Sequence, residues 1–99
     1  MVEYLIDCVT KPNRNSRHEH ITHIGNTAGT WKLMREDAIS MIDSKNHNFY
    51  TVDRVSNSKV YIGVVRDQGH APFLRTYADK KWNDNLLAQP ECPPSCKLI

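Results

Sequence analysis

Residues 59–66 alternate apolar side chains with a period of two, and this pattern constrains the fold more than any other feature of the chain. Val60, Ile62 and Val64 fall on one face of an extended segment, and Tyr61 falls on the other. Successive side chains of a strand point to opposite sides, so alternation of this kind is typical of a strand with one face on a core.

Four further β-rich runs accompany this strand, at residues 2–10, 18–24, 49–52 and 73–77. Short polar turns separate the last three runs of the chain, which favours antiparallel hairpins. Residues 31–45 carry the helical periodicity, with Ala38, Ile39 and Ile42 recurring on one side. The order ββαβββ predicts an α+β fold in which a mainly antiparallel sheet of about five strands carries one helix on a face.

The length and composition suit one small domain. With 99 residues, 39% hydrophobic and 24% charged, the chain has enough apolar surface to form a core and is not disordered throughout. We expect residues 1–92 to form a single α+β domain. Residues 93–99, which begin with Pro93 and Pro94, are predicted to be an irregular, extended or flexible tail.

Neither a membrane span nor a secretion signal is apparent, since no apolar run approaches about 18 residues and Glu3 and Asp7 interrupt the first nine. We therefore expect a cytoplasmic protein. The cysteines are odd in number, and Cys8 lies far in sequence from Cys92 and Cys96. Disulfides are rare in the cytoplasm, so a disulfide scaffold is not predicted.

Three histidines, His18, His20 and His23, lie close together in the second β-rich run. On a strand, His18 and His20 share a face, and Cys92 or Cys96 would be needed to complete a zinc site with them. A solvent-facing polar strand explains the same residues more simply. We predict neither a bound metal nor another cofactor.

Residues 11–35 hold five lysines and arginines and only one acid, Glu19. Cations near an aromatic ring can bind phosphates while the ring stacks on a base. The residues that would do so are Lys11, Arg14, Arg17, Trp31, Lys32 and Arg35. The formal charge of +2 is small for a nucleic-acid-binding domain, so this function is the alternative rather than the favoured one.

Residues 73–92 form the second candidate region. Its candidates for binding a ligand or a protein partner are Arg75, Thr76, Trp82, Asp84 and Asn85, with Trp82 as the aromatic anchor. The competing interpretation is structural. Asn83 or Asp84 would then cap a short helical turn that buries leucines, and Arg75 would pair with Asp84 or with loop carbonyls.

Several segments of the chain together resemble the bacterial family catalogued as domain of unknown function 3892. They include residues 50–53, residues 74–76, residues 84–87 with Pro90 and Cys92, and residues 21–25 in the first half. The resemblance covers roughly residues 3–92. The resemblance supports a single domain over this range. It does not indicate a mechanism, because no activity is assigned to the family.

No arrangement of a nucleophile with a base, and no glycine-rich phosphate loop, is apparent in the sequence. We therefore expect a non-enzymatic module that binds a protein partner through a sheet edge or the C-terminal loop region. Binding of nucleic acid through residues 11–35 is the alternative, and no membrane association is predicted.

Overall fold

The computed structural model describes residues 2–12, 20–53, 55–66, 69, 71–78 and 81–99. In these ranges the chain forms nine strands and one helix. Their bounds are β1 (Val2–Leu5), β2 (Cys8–Thr10), β3 (His23–Asn26), β4 (Trp31–Met34), α1 (Arg35–Asp43), β5 (His47–Val52), β6 (Lys59–Val65), β7 (Phe73–Ala78), β8 (Lys81–Asn83) and β9 (Lys97–Leu98).

The strands form two mixed sheets. One has five strands in the order β1-β5-β6-β7-β8, and the other has four in the order β2-β3-β4-β9. The pairs β1/β5 and β4/β9 are parallel, and the other pairs are antiparallel. The prediction of a mainly β protein with one helix is confirmed. The single antiparallel sheet in the order ββαβββ is wrong, because two sheets share the strands.

The first β-rich run supplies a strand to each sheet. The Ile6 amide donates to the carbonyl of Tyr50 at 2.7 Å, and the Asp7 amide donates to the carbonyl of Gly25 at 3.0 Å. The chain thus leaves the five-stranded sheet and enters the four-stranded one between these two residues. Period-two alternation does not identify a strand's partner, so the sequence does not show this change.

The predicted helix at residues 31–45 begins too early. Trp31–Met34 forms strand β4, in which Leu33 lies opposite Ile24 of β3, and both side chains are buried. The helix begins at Arg35, after Met34 with an extended backbone. Pairing with β3 buries Leu33 against Ile24, so tertiary packing overrides the local period.

The core lies between the helix and the two sheets, because α1 packs against strands of both. Its buried members are Ile6, Val9, Ile21, Ile24, Leu33, Ala38, Phe49, Ile62, Leu74 and Leu86. No helix within the described ranges is long and apolar enough to cross a membrane.

Residues 90–99, here called the C-terminal strap, are more regular than predicted. The Val9 amide donates to the carbonyl of Pro90, and the Cys92 amide donates to the carbonyl of Val9, each at 2.9 Å. At the other end, β9 pairs with β4. The strap therefore runs from the outer edge of β2 to the outer edge of β4, and backbone pairing at both edges replaces the irregular tail.

Cys8 and Cys92 form a disulfide, which corrects the expectation from the sequence. The two residues are 84 positions apart, but the bridge between Val9 and Glu91 brings their neighbours together. Gly25 of β3 lies beneath this bond, where a Cβ atom would stand 3.0 Å from either sulfur. Cys96 remains a buried thiol.

Removing the disulfide should destabilise the domain. In a Cys8→Ser/Cys92→Ser variant the unfolded chain is no longer closed into a long loop and gains conformational entropy. We expect the free energy of unfolding to fall by about 2–5 kcal/mol. Urea unfolding measures this loss. Dithiothreitol should lower the wild-type midpoint and leave that of the variant unchanged. An unchanged wild-type midpoint under reduction would contradict the assignment.

Candidate functional site

Four aromatic side chains lie directly opposite one another across four neighbouring strands. Tyr50 of β5 faces Tyr61 of β6, Tyr61 faces Tyr77 of β7, and Tyr77 faces Trp82 of β8. We call these four residues the aromatic row. They share one face of the five-stranded sheet because directly paired residues point the same way.

The aromatic row lies on the face turned away from the core, here called the outer face. Neighbours of the row along the strands, Thr51, Ile62 and Thr76, are buried on the inner face. By contrast, Tyr61, Tyr77 and Trp82 are 40%, 43% and 40% exposed. A contiguous set of large, partly exposed aromatic residues is typical of a binding surface, whereas single exposed apolar residues need no explanation.

The rings of the row stand at steep angles to one another. Tyr50 and Tyr61 have ring centroids 6.2 Å apart and planes inclined by 59°. Tyr77 and Trp82 are 5.1 Å apart and inclined by 66°. The edge-to-face arrangement of Tyr77 and Trp82 is attractive because the positive edge of one ring meets the negative face of the other. The outer face therefore carries ridges and grooves rather than a flat platform.

Gly63 provides the floor of a cleft within the row. Trp82 reaches across β7 from β8, so that a Cβ atom on Gly63 would lie 3.2 Å from Cη2 and Cζ3 of the indole. The resulting cleft has a volume of about 250 Å³ and is lined by Tyr61, Ile62, Gly63, Tyr77 and Trp82. A side chain at position 63 would press against the indole, so glycine there lets Trp82 approach β6.

An ion pair borders the row on the β1 side. Lys59 Nζ lies 3.2 Å from Glu3 Oε1 and 4.7 Å from the centroid of the Tyr50 ring. The Tyr61 hydroxyl donates to Glu3 Oε2 at 2.9 Å. The bonds from Tyr61 and Lys59 lower the pKa of Glu3, and the bond to Glu3 raises the pKa of Tyr61. Glu3 is therefore held as a carboxylate with its charge balanced.

A second ion pair borders the row on the β8 side. Arg75 Nη2 lies 3.1 Å from Asp84 Oδ1, and Arg75 Nε donates to the carbonyl of Asn83 at 3.2 Å. The pairing anticipated between Arg75 and Asp84, or with a loop carbonyl, occurs in both forms. Of the predicted binding residues, Arg75, Trp82 and Asp84 thus lie together beside the cleft.

The side chains of the other two predicted binding residues, Thr76 and Asn85, form hydrogen bonds to other parts of the fold. Thr76 is fully buried; its hydroxyl is hydrogen-bonded to Asn83 and accepts a bond from the Leu86 amide at 3.2 Å. The Asn85 side chain donates to Asp53 Oδ2 at 3.3 Å, and three hydrogen bonds, two of them from backbone amides, lower the pKa of Asp53.

Asn83, rather than Asp84, caps the turn after β8. Its Oδ1 accepts the Asn85 amide at 3.1 Å. The turn that follows is closed by a bond from the Ala88 amide to the carbonyl of Asp84 at 2.9 Å, and it buries Leu86 completely. The structural interpretation of this segment is therefore observed, with its capping residue now identified.

Four of the six nucleic-acid candidates lie in the described part of the chain, and contacts are observed for Lys11, Trp31 and Arg35. Lys11 donates to the carbonyl of Leu87 at 3.4 Å, and Trp31 packs its half-buried ring edge-on against Tyr4. Arg35 forms an ion pair with Glu36, and Lys32 is half-buried on β4. Arg14 and Arg17 lie outside the described residues.

The histidines do not assemble into a metal site in the described part of the chain, where no cluster of three ligating residues occurs. His18 lies outside it, and His20 is exposed. His23 Nδ1 is 2.9 Å from the Thr22 hydroxyl, and burial lowers the pKa of His23. The sulfur of Cys92 forms the disulfide with Cys8 and is therefore not available as a metal ligand.

A family model described as "Protein of unknown function (DUF3892)" matches residues 6–90. The chain belongs to this family. The matched region contains the whole aromatic row and Gly63, and it ends at Pro90, the first residue of the C-terminal strap. The resemblance found in the sequence is thereby confirmed. Curated proteins and solved structures showed no match.

Trp82 was predicted from the sequence as a binding residue, whereas its three partners in the row were not. The three tyrosines each lie next to at least one apolar residue, and Tyr61 was correctly placed opposite the core face. The available signal was one aromatic residue per strand on the polar face. Turning that signal into a row requires the register between strands, which the individual runs do not contain.

Two neighbouring substitutions distinguish structure from surface in this region. Asn83→Ala removes the cap and the side-chain partner of the buried Thr76 hydroxyl, which keeps only the carbonyl of residue 83 as an acceptor. We expect a loss of about 1–3 kcal/mol in the free energy of unfolding. Asp84→Ala breaks an exposed ion pair and should cost less than about 1 kcal/mol. Urea unfolding of both variants provides the comparison. A larger loss for Asp84→Ala would overturn this assignment of the cap.

Proposed function

We propose that the protein is a non-enzymatic module that binds a protein partner through the outer face of its five-stranded sheet. The observation that supports this proposal is the aromatic row. Tyrosine and tryptophan are enriched among the residues that dominate binding energy at protein interfaces. Tyr61, Tyr77 and Trp82 offer such side chains side by side and partly exposed.

Trp82 is the central anchor in this proposal, because its indole ring forms a wall of the cleft over Gly63. Arg75 and Asp84 form a polar margin beside it, as interfaces commonly have. Thr76 and Asn85 contribute by holding β7, β8 and the following turn in place. The predicted binding set is therefore divided into contact residues and supporting residues.

The ionisable groups that border the row suit binding better than chemistry. Glu3 is paired with Lys59 and accepts a hydrogen bond from the Tyr61 hydroxyl, and Arg75 is paired with Asp84. A general acid or base needs a group whose proton is exchanged near neutral pH. A carboxylate held below its usual pKa, as Glu3 is, does not meet that requirement.

The location of the protein is a separate proposal. A cytoplasmic location remains the prediction from the sequence. The Cys8–Cys92 disulfide weighs against it, because such bonds persist mainly in oxidising compartments.

Site-specific photo-crosslinking tests the proposed interface. p-Benzoylphenylalanine replaces Tyr77 in the row or, as a control, Val55, which is 97% exposed and lies off the row. In cells that make the protein, we expect a discrete protease-sensitive adduct from position 77 and none of the same size from position 55. The additional substitution Trp82→Ala should abolish the adduct from position 77.

Two results would contradict the proposal. Adducts from position 77 that disappear with nuclease rather than protease would indicate nucleic acid as the partner. The same adducts from positions 77 and 55 would show that the row has no special role.

A further inference from the structure

The outer face is better suited to a ligand that lies across its surface than to a ligand enclosed in a pocket. The cleft over Gly63 holds about 250 Å³, whereas pockets that enclose small molecules hold roughly 300–1,000 Å³. A space of this size accommodates one compact side chain of a longer ligand. The rest of that ligand would lie along the aromatic row.

The tilt of the rings limits what that ligand is. A chain of sugars or stacked bases needs ring faces presented flat to the solvent. Here neighbouring rings are inclined by 59° and 66°, so adjacent faces are not coplanar. Aromatic-lined grooves are instead the feature with which proline-binding domains hold polyproline II helices.

The charges beside the row also favour an uncharged ligand. Lys59 is balanced by Glu3 at one margin, and Arg75 is balanced by Asp84 at the other. A nucleic acid gains its affinity from cations that neutralise phosphates, whereas Lys59 and Arg75 already have carboxylate partners at 3.2 and 3.1 Å. A proline-rich segment carries no charge that these margins would have to neutralise.

The dimensions and donors of the row fit the same ligand. Four strands spaced by about 4.8 Å give the row a length of roughly 14 Å. A polyproline II helix rises 3.1 Å per residue, so about four or five residues span the row. Its carbonyl groups have no internal partners. The partly exposed residues Tyr77 and Trp82 carry a hydroxyl and an indole N–H, which are donors of the kind these carbonyls require.

From these observations we infer that the aromatic row binds a proline-rich segment in the polyproline II conformation. One proline ring occupies the cleft over Gly63, between Tyr61 and Trp82. This inference rests on the proposed function and specifies the chemistry of the partner. Polyproline II segments are already extended in the free state, so little conformational entropy is lost when they bind.

Titration of the ¹⁵N-labelled protein with a decaproline peptide tests the inference. We expect saturable shifts of the Gly63 amide and the Trp82 indole resonance. A glycine-serine peptide of equal length, an oligouridylate and a cello-oligosaccharide serve as competing ligands. The absence of saturable shifts with decaproline, or tighter binding of any competitor, would overturn the inference.

Gly63→Val alters the cleft without removing any aromatic residue, because its side chain would meet Cη2 and Cζ3 of Trp82 and push the indole aside. Valine suits a strand, so the fold should persist; the amide spectrum verifies this. We expect affinity for decaproline to fall at least about tenfold, as for loss of a hot-spot contact. Val55→Ala, off the row, should bind like the wild type. Unchanged affinity of a folded Gly63→Val variant would exclude the cleft as the proline site.

If Gly63→Val does not fold, Trp82→Ala takes its place, because that side chain is exposed and its loss should leave the core intact. Unchanged affinity of Trp82→Ala would overturn the inference equally. The proposed function can fail separately. A protein adduct from position 77 without decaproline binding would retain the protein interface and reject its proline-rich partner.

Discussion

The bond between Thr76 and Asn83 on the inner face fixes the arrangement on which the candidate site depends. It sets the register of β7 against β8, and the buried pair Ile62 and Thr76 sets β6 against β7. A slip of one residue in either pair would expose apolar or bonded groups. With the inner face fixed, Tyr61, Tyr77 and Trp82 have only one alignment on the outer face. The aromatic row is thus a consequence of core packing.

The four-stranded sheet is closed by a different device. The chain passes from one sheet to the other at Ile6 and Asp7, and the C-terminal strap then pairs with both edges of the second sheet. The Cys8–Cys92 bond joins the strap to β2 beside this crossing. Strand edges are prone to unwanted pairing, and the strap covers two of them. The strap lies on this sheet, whereas the outer face of the five-stranded sheet carries the exposed aromatic residues.

The pattern of residue types within short segments predicted those secondary-structure elements that form through local interactions. The strands near 49–52, 59–66 and 73–77, the helix around Ala38 and the capped turn before Leu86 were all predictable, since periodicity and capping chemistry act over a few residues. The strand Trp31–Met34, the division into two sheets and the disulfide were not. Each depends on a partner distant in sequence, as does the register that turns four separate aromatic residues into one surface.

The central claim is that Trp82 lies over Gly63 as part of this aligned row. The ring current of an aromatic side chain displaces the resonances of protons close to it. A substituent on Gly63 would point at Cη2 and Cζ3 of the indole, so one Gly63 Hα should resonate well away from its ordinary position. That shift should disappear in Trp82→Ala. An ordinary Gly63 Hα resonance in the folded wild-type protein would contradict the alignment and the binding surface inferred from it.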